Sequence, residues 1–428
     1  MDESEIRHWL RSGLGRAILY ARNHDMRPFK ELLLDACLHC YSIDPQTEGT
    51  RADFMFDLVN RTPEREFYRD GVLNALRTSG DDWDAKQRFR FAALLAHEGD
   101  EQAKQMMYSS YDPGPNMGEA IGIEFVHLDG REGLLLVAEK MGKLLTTTQQ
   151  NADLGWLMSV SADVLGEAEA KDVLRKGAEQ SLFIETYRSA VEGSDANHGT
   201  QPDREWIKTA TYDQFRAKWP SVLSYYSPRI WGLYATDMEL QKAAHGLLVA
   251  PDVTMQIAHL KMFWDRPFPL DHDTLLTLAK STHERVQHAA VVALVHVSSP
   301  AVRAFAFDLV RDHAPLRGFA VDLLAHNFHP GDHTIVLEWF EQENEEESLH
   351  TEARKLMSFW QSHPDESLYS RMLHGVYERC PCSFCREQAV ELLLKRNDLL
   401  PALMAECEWD ANEDIRELVK GKGELAKN

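Results

Sequence analysis

Thr282-His283-Glu284-Arg285-Val286-Gln287-His288-Ala289-Ala290-Val291-Val292-Ala293-Leu294, and after it Ser298-Ser299-Pro300-Ala301-Val302-Arg303-Ala304-Phe305-Ala306-Phe307-Asp308-Leu309-Val310, decide the fold. Each half opens on a polar or Pro-containing turn. An aliphatic residue followed by Gln or Arg comes next, then a small residue four positions on and another aliphatic four further. Helical periodicity puts Val286, Ala290 and Leu294 on one face, and Val302, Ala306 and Val310 on another. The central Ala lets a neighbouring helix come close. One such helix cannot bury its stripe alone, so the pattern requires stacked neighbours.

The phase recurs downstream. Leu316-Arg317, Ala353-Arg354, Cys385-Arg386 and Ile415-Arg416 follow Val286-Gln287 at spacings of 30, 37, 32 and 30 residues. Four positions on stand Ala320, Met357, Ala389 and Val419. That period is two short helices with their turns. An acid just ahead of Arg, in Glu352-Ala353-Arg354 and Asp414-Ile415-Arg416, lets acids and bases meet between neighbouring repeats.

These residues resemble the HEAT-repeat family, whose second helix typically begins Asp-x-x-Val-Arg-x-x-Ala. The likeness is clearest over residues 281–325, weaker over 350–420 and generic in the N-terminal half. Leu316 and Cys385 stand where Val is usual, and Gln287 replaces Arg. The resemblance implies an all-α fold, an α-solenoid of helical hairpins whose concave face binds a partner. The family spans scaffolds, transport adaptors, lyase subunits and one branch of DNA glycosylases, so fold analogy does not choose a function.

Upstream, the pattern predicts an irregular helical half. Helices are expected at Glu5 to Arg22, Pro28 to Cys40, Gly49 to Asn60, about 119–126 and 130–145. A hairpin is expected from Asp84 to His97 and from Asp100 to Tyr111, with Asp100 as N-cap of its second helix. No segment alternates at period two for long enough to be a strand. Residues 191–203 are rich in turn-formers and read as a linker or surface loop. They separate a helical domain, 1–190, from a repeat domain, 204–428, that begins with an aromatic-rich block.

Composition narrows function. With 46 Lys and Arg against 68 Asp and Glu, the net charge is −22, which repels phosphate backbones; no nucleic acid is expected, and a partner protein with a basic surface is. The acidic start has no signal-peptide character. The longest apolar runs, such as Leu134 to Ala138, fall well short of a membrane span, so no membrane partner is expected. Six Cys without a leader point to a reducing, cytoplasmic setting.

Candidate chemistry is sparse. Arg379-Cys380-Pro381-Cys382-Ser383-Phe384-Cys385 sets three thiols at a turn. Cys380, Cys382 and Cys385 are therefore candidate zinc ligands or redox thiols, with His374 or Cys407 as a fourth ligand. Against this, Cys385 falls on the buried phase of the repeat. Cys37 and Cys40 sit late in an apolar helix and read as packing. His326 to His333 fits an inter-helix turn in which Asp332 caps the next helix, and Glu341 to Glu347 fits a solvated acidic loop. Trp231, Tyr234 and Trp264, in the aromatic block, are candidates for partner contact. A glycosylase site at Trp231, Tyr234 and Asp237 would need a basic face that the composition denies. Gly13-Leu14-Gly15 lacks the preceding strand of a nucleotide loop, and no P-loop, nucleophile elbow or zincin motif is present. The expectation is a non-enzymatic scaffold or adaptor without a cofactor, with a Cys-based metal or redox protein as the alternative.

Overall fold

A computed structural model describes residues 1–78, 81–114, 116–147, 154–197, 204–219, 226–311 and 316–425. Tyr225 of the aromatic block and residues 198–203 of the expected linker lie outside them. The fold is all-α, with 28 α-helices and no strand among the described residues. Two compact units are present: residues 1–199 together with 380–428, and residues 200–379.

In the first unit the helix Asp82–His97 packs on Glu101–Ser110, Ala52–Val59 and Gly118–Asp129, and Arg131–Thr147 lies against Gly118–Asp129 and Leu182–Asn197. The expected hairpin forms, and the Asp100 carboxylate accepts the Ala103 N–H at 3.0 Å as the N-cap. Two expectations need correction. Glu5 to Arg22 is not one helix: Gly13, at φ +70°, ends Glu3–Ser12 in the left-handed region, and the chain restarts as Arg16–Ala21. Nor is 191–197 a linker, because it completes Leu182–Asn197, whose Ile184, Tyr187 and Val191 are buried.

Residues 380–428 close onto the start of the chain. The Ala411 N–H donates to the Gly13 carbonyl at 2.8 Å, and Arg16 pairs with Glu406 at 2.8 Å across 390 positions. Gly15 is needed for this approach: a Cβ there would lie 2.0 Å from the Glu406 carbonyl oxygen. Beneath the seam, Arg386 and Asp410 pair at 2.9 Å, both fully buried, and Arg51 pairs with Glu48 at 3.3 Å. Burial opposes the Glu48 charge, yet Arg51 and the Ser383 N–H, 2.9 Å away, hold its carboxyl below the usual range.

The second unit carries the opening stretch as Glu284–Leu294 and Pro300–Arg311. Val286, Ala290, Leu294, Val302 and Ala306 are buried as expected, but Leu309 takes the place of the half-exposed Val310. The phase also slips at Leu316. A 3₁₀ turn, Arg317–Phe319, intervenes, and the buried small residue Ala320 opens the helix Ala320–Ala325. Ala353 and Met357 keep the pattern here, as do Cys385, Ala389, Ile415 and Val419 in the first unit.

Polar links join elements 28 to 30 positions apart. Arg303 forks onto Asp332, 29 positions on, at 2.6 and 2.7 Å, and Asn327 accepts the Ser299 N–H at 2.7 Å while donating to the Val297 carbonyl at 3.0 Å. Asp332 is therefore not the helix cap. Gly331 occupies that position, and the Asp332 carboxylate is spent on Arg303 and the His329 N–H. The acidic run is not simply solvated either. Glu343 is buried against Arg317 at 3.0 Å, and Glu345 caps Glu346–Ser362 through the Ser348 N–H at 2.7 Å.

Candidate functional site

Within the second unit, the helices Val253–Lys261 and Glu284–Leu294 pack together and leave a cleft of about 370 Å³. Asp252 caps the first helix by accepting the Met255 N–H at 2.9 Å. Lys261 is its last residue, and the following turn brings Trp264 onto the same face, with the ammonium 5.5 Å from the ring centroid. Trp264 is clamped at both ends. Its indole N–H donates to the Ala289 carbonyl at 3.2 Å, and its own carbonyl accepts from His296 Nε2 at 3.0 Å.

The second helix supplies Glu284, Arg285, Gln287 and His288, with Ile257, Ala289 and Leu316 as apolar lining. Among the described residues, the exposed Arg285 guanidinium has no carboxylate within ion-pair distance, and neither the Gln287 amide nor the His288 ring nitrogens make a hydrogen bond. The His288 ring is held edge-on by Trp264 and by Phe319, at 6.1 and 5.4 Å. Beyond Phe319 lies another cation: the Lys355 ammonium sits 3.8 Å from that ring centroid and 2.6 Å from Asp322.

Cations outnumber carboxylates in the lining, where Glu284 is the opposing charge among the described residues. Lys261 is only 4% exposed, and burial, reinforced by Arg285, lowers its ammonium to about 8. Burial also lowers His288, with Lys355 and Lys261 adding to the shift. In a chain of net charge −22, this cleft gathers positive charge. It can bind an anion; no nucleophile with an aligned base is present among its described lining residues.

The residues singled out from sequence are not brought together. Trp231 is 1% exposed and donates its indole N–H to the Ala210 carbonyl at 2.9 Å, so its surface is spent on the core. Tyr234 is exposed, under Lys208 at 5.3 Å, and Asp237 pairs with Arg266 at 2.7 Å. Trp264 alone of the three aromatics lines the cleft. Cys380, Cys382, Cys385 and Cys407 are buried. The sulfurs of Cys382 and Cys385 lie within 4.8 Å of each other, but Cys380 does not join them at that spacing. None of the six Cys is in a disulfide, and burial pushes the Cys37 and Cys40 thiols up, which suits packing rather than reactivity.

Lys261, Arg285, Gln287 and His288 went unmarked as a site. The available signal was Arg285-x-x-His288, three apart and so on one helical face. No protein-family model, no curated protein and no solved structure matches the chain. No helix among the described residues is long and apolar enough to cross a membrane.

Proposed function

We propose that the protein is a non-enzymatic scaffold or adaptor of HEAT-like stacked helical hairpins, working in a reducing cytoplasmic setting and presenting the second unit to a protein partner. The observation that carries this reading is the cleft lined by Lys261, Trp264, Arg285 and His288, where among the described residues the Arg285 guanidinium has no carboxylate within ion-pair distance and the Gln287 amide and His288 ring make no hydrogen bond. A rigid frame with unspent donors suits recognition. The acidic remainder suits a basic partner surface, with the cleft as the exception that takes an anionic group.

Affinity isolation with the wild-type chain and with Arg285→Glu tests the reading. The expected result is a partner lost from the variant and rebound by purified wild-type protein. Identical recoveries from both chains, or turnover of a substrate by the purified protein, would sink it. For the Cys380, Cys382 and Cys385 alternative, elemental analysis of protein purified without chelator decides: stoichiometric zinc supports it, and its absence removes it.

A further inference from the structure

We infer that Cys382 and Cys385 are a redox modification site, a dithiol that hydrogen peroxide converts into a disulfide at the start of the helix Ser383–Arg396. The inference stands in the first unit and does not depend on the cleft or on the scaffold reading.

Position in the helix is the first argument. Cys382 is the N-cap of Ser383–Arg396, in extended backbone at φ −74° and ψ 124°, and Cys385 is the third residue of that helix. These are the two positions whose side chains meet in a capping box, because an N-cap side chain turns back over the first turn toward the third residue. Two thiols stand here in place of a hydroxyl and a carboxylate, and their sulfurs lie within 4.8 Å of each other. Positions three apart along a helix have Cα atoms about 5 Å apart, inside the range of about 4.4–6.8 Å that a disulfide spans. Cys380 does not join the pair at that spacing, so the geometry favours one bond.

The chemistry is the second. The N-terminal end of a 14-residue helix favours an anion at its cap, and the thiolate is the nucleophile. The Cys382 sulfur attacks one peroxide oxygen, the O–O bond breaks, and the departing hydroxide takes up the thiol proton as water, leaving a sulfenic acid. The Cys385 sulfur then attacks the Cys382 sulfur, the S–O bond breaks, and the hydroxyl leaves with the Cys385 proton as a second water. Two thiols have lost two electrons and two protons, and peroxide has been reduced to two waters.

The surroundings set the access. Both residues are 3% exposed, which keeps out bulky oxidants and admits a water-sized one as the first turn opens. The same turn carries seam contacts: the Ser383 N–H donates to Glu48 at 2.9 Å, and Arg386, the residue after Cys385, pairs with Asp410 at 2.9 Å. A bond between Cys382 and Cys385 therefore marks the turn that holds residues 380–428 to the start of the chain.

Peroxide treatment of the reduced full chain tests the site. Remaining thiols are blocked in denaturant and the peptides mapped by mass spectrometry, with circular dichroism confirming that the treated protein stays folded. Expected are a Cys382–Cys385 disulfide formed ahead of any other in the chain, two hydrogens lighter and reversed by dithiothreitol, and its loss in Cys382→Ser. The wild-type map decides even where that variant does not fold. A folded, peroxide-treated chain with both thiols still reduced overturns the inference. So does a bond from either residue to Cys380 or Cys407, or a Cys382–Cys385 bond that forms only in unfolded protein.

Discussion

The first unit and the second handle buried positive charge in opposite ways. At the seam of the first, Arg386 meets Asp410 and Arg51 meets Glu48, all deeply buried, so the charges are consumed in holding 380–428 against the start of the chain. In the cleft of the second, Lys261 is nearly as buried, and another cation, Arg285, and the Trp264 ring lie beside it. A buried ion pair whose partners are both present is a structural commitment. A cleft whose Arg285, Gln287 and His288 make no ion pair or side-chain hydrogen bond among the described residues leaves donors for a ligand to meet.

That contrast breaks most sharply at Asp410. Asp410→Ala strips the carboxylate from a fully buried Arg386, and the expected loss is about 3–5 kcal/mol in urea unfolding of the first unit. A loss below about 1 kcal/mol would show that the seam charges are not committed to structure.

The second unit has its own buried carboxyl in Glu352, 3.6 Å from Arg317. Burial raises its carboxyl to about 7, with Glu343 pushing the same way and Arg317, Lys355 and Arg379 pulling it down. Below the ordinary value of 4.5 it is protonated folded or unfolded and affects nothing. Between there and about 7 the unfolded chain sheds the proton first, so stability falls as pH rises, by roughly 3 kcal/mol in total. Glu352→Gln is expected to flatten that window, measured by denaturant unfolding at pH 5 and pH 8. An unchanged slope removes Glu352 as its source.

Gly15→Ala sharpens the comparison from the packing side. Its Cβ would meet the Glu406 carbonyl at 2.0 Å, and a cost of about 1–3 kcal/mol is expected in the first unit's thermal unfolding. The smallest effect is assigned to Lys261→Met. Its ammonium is lowered to about 8, so the folded state carries a penalty that is full below that pH and is relieved as pH rises toward 10.5. At pH 7 the variant is expected to be as stable as the wild type or more stable by about 1 kcal/mol. A marked destabilisation would make Lys261 a structural residue like Arg386.

How far the sequence could be read follows from the range of each interaction. Ala290, Ala306, Ala353 and Ala389 were legible because close helix packing needs a small residue at helical spacing, a local rule. The seam was not legible. Arg16 and Glu406 are 390 positions apart, and no periodicity encodes such a pairing. Gly13-Leu14-Gly15 invited comparison with a phosphate loop, yet its glycines answer a helix end and a backbone arriving from 406–410. Trp231 and Trp264 look alike in one aromatic block. What separates a core residue from a cleft wall is the element packed above it, which local periodicity leaves unspecified. Gln287 was visible only as a phase marker and Arg285 only as part of the opening stretch, because the cleft they line forms where Val253–Lys261 packs on their helix.

The discontinuous first unit has a consequence for the order in which the molecule is made. Residues 200–379 are continuous and can consolidate once position 379 has left the ribosome, whereas Arg51 and Glu48 must wait for Arg386 and Asp410 to emerge. Closing the seam brings together segments almost the whole chain apart, a late and slow step by loop-closure entropy. During that wait the nascent first unit holds half of a buried charge network open to water and to chaperones. In pulse-labelled hydrogen exchange, amides along Val286–Leu294 should gain protection before the Ala411 amide that bonds Gly13.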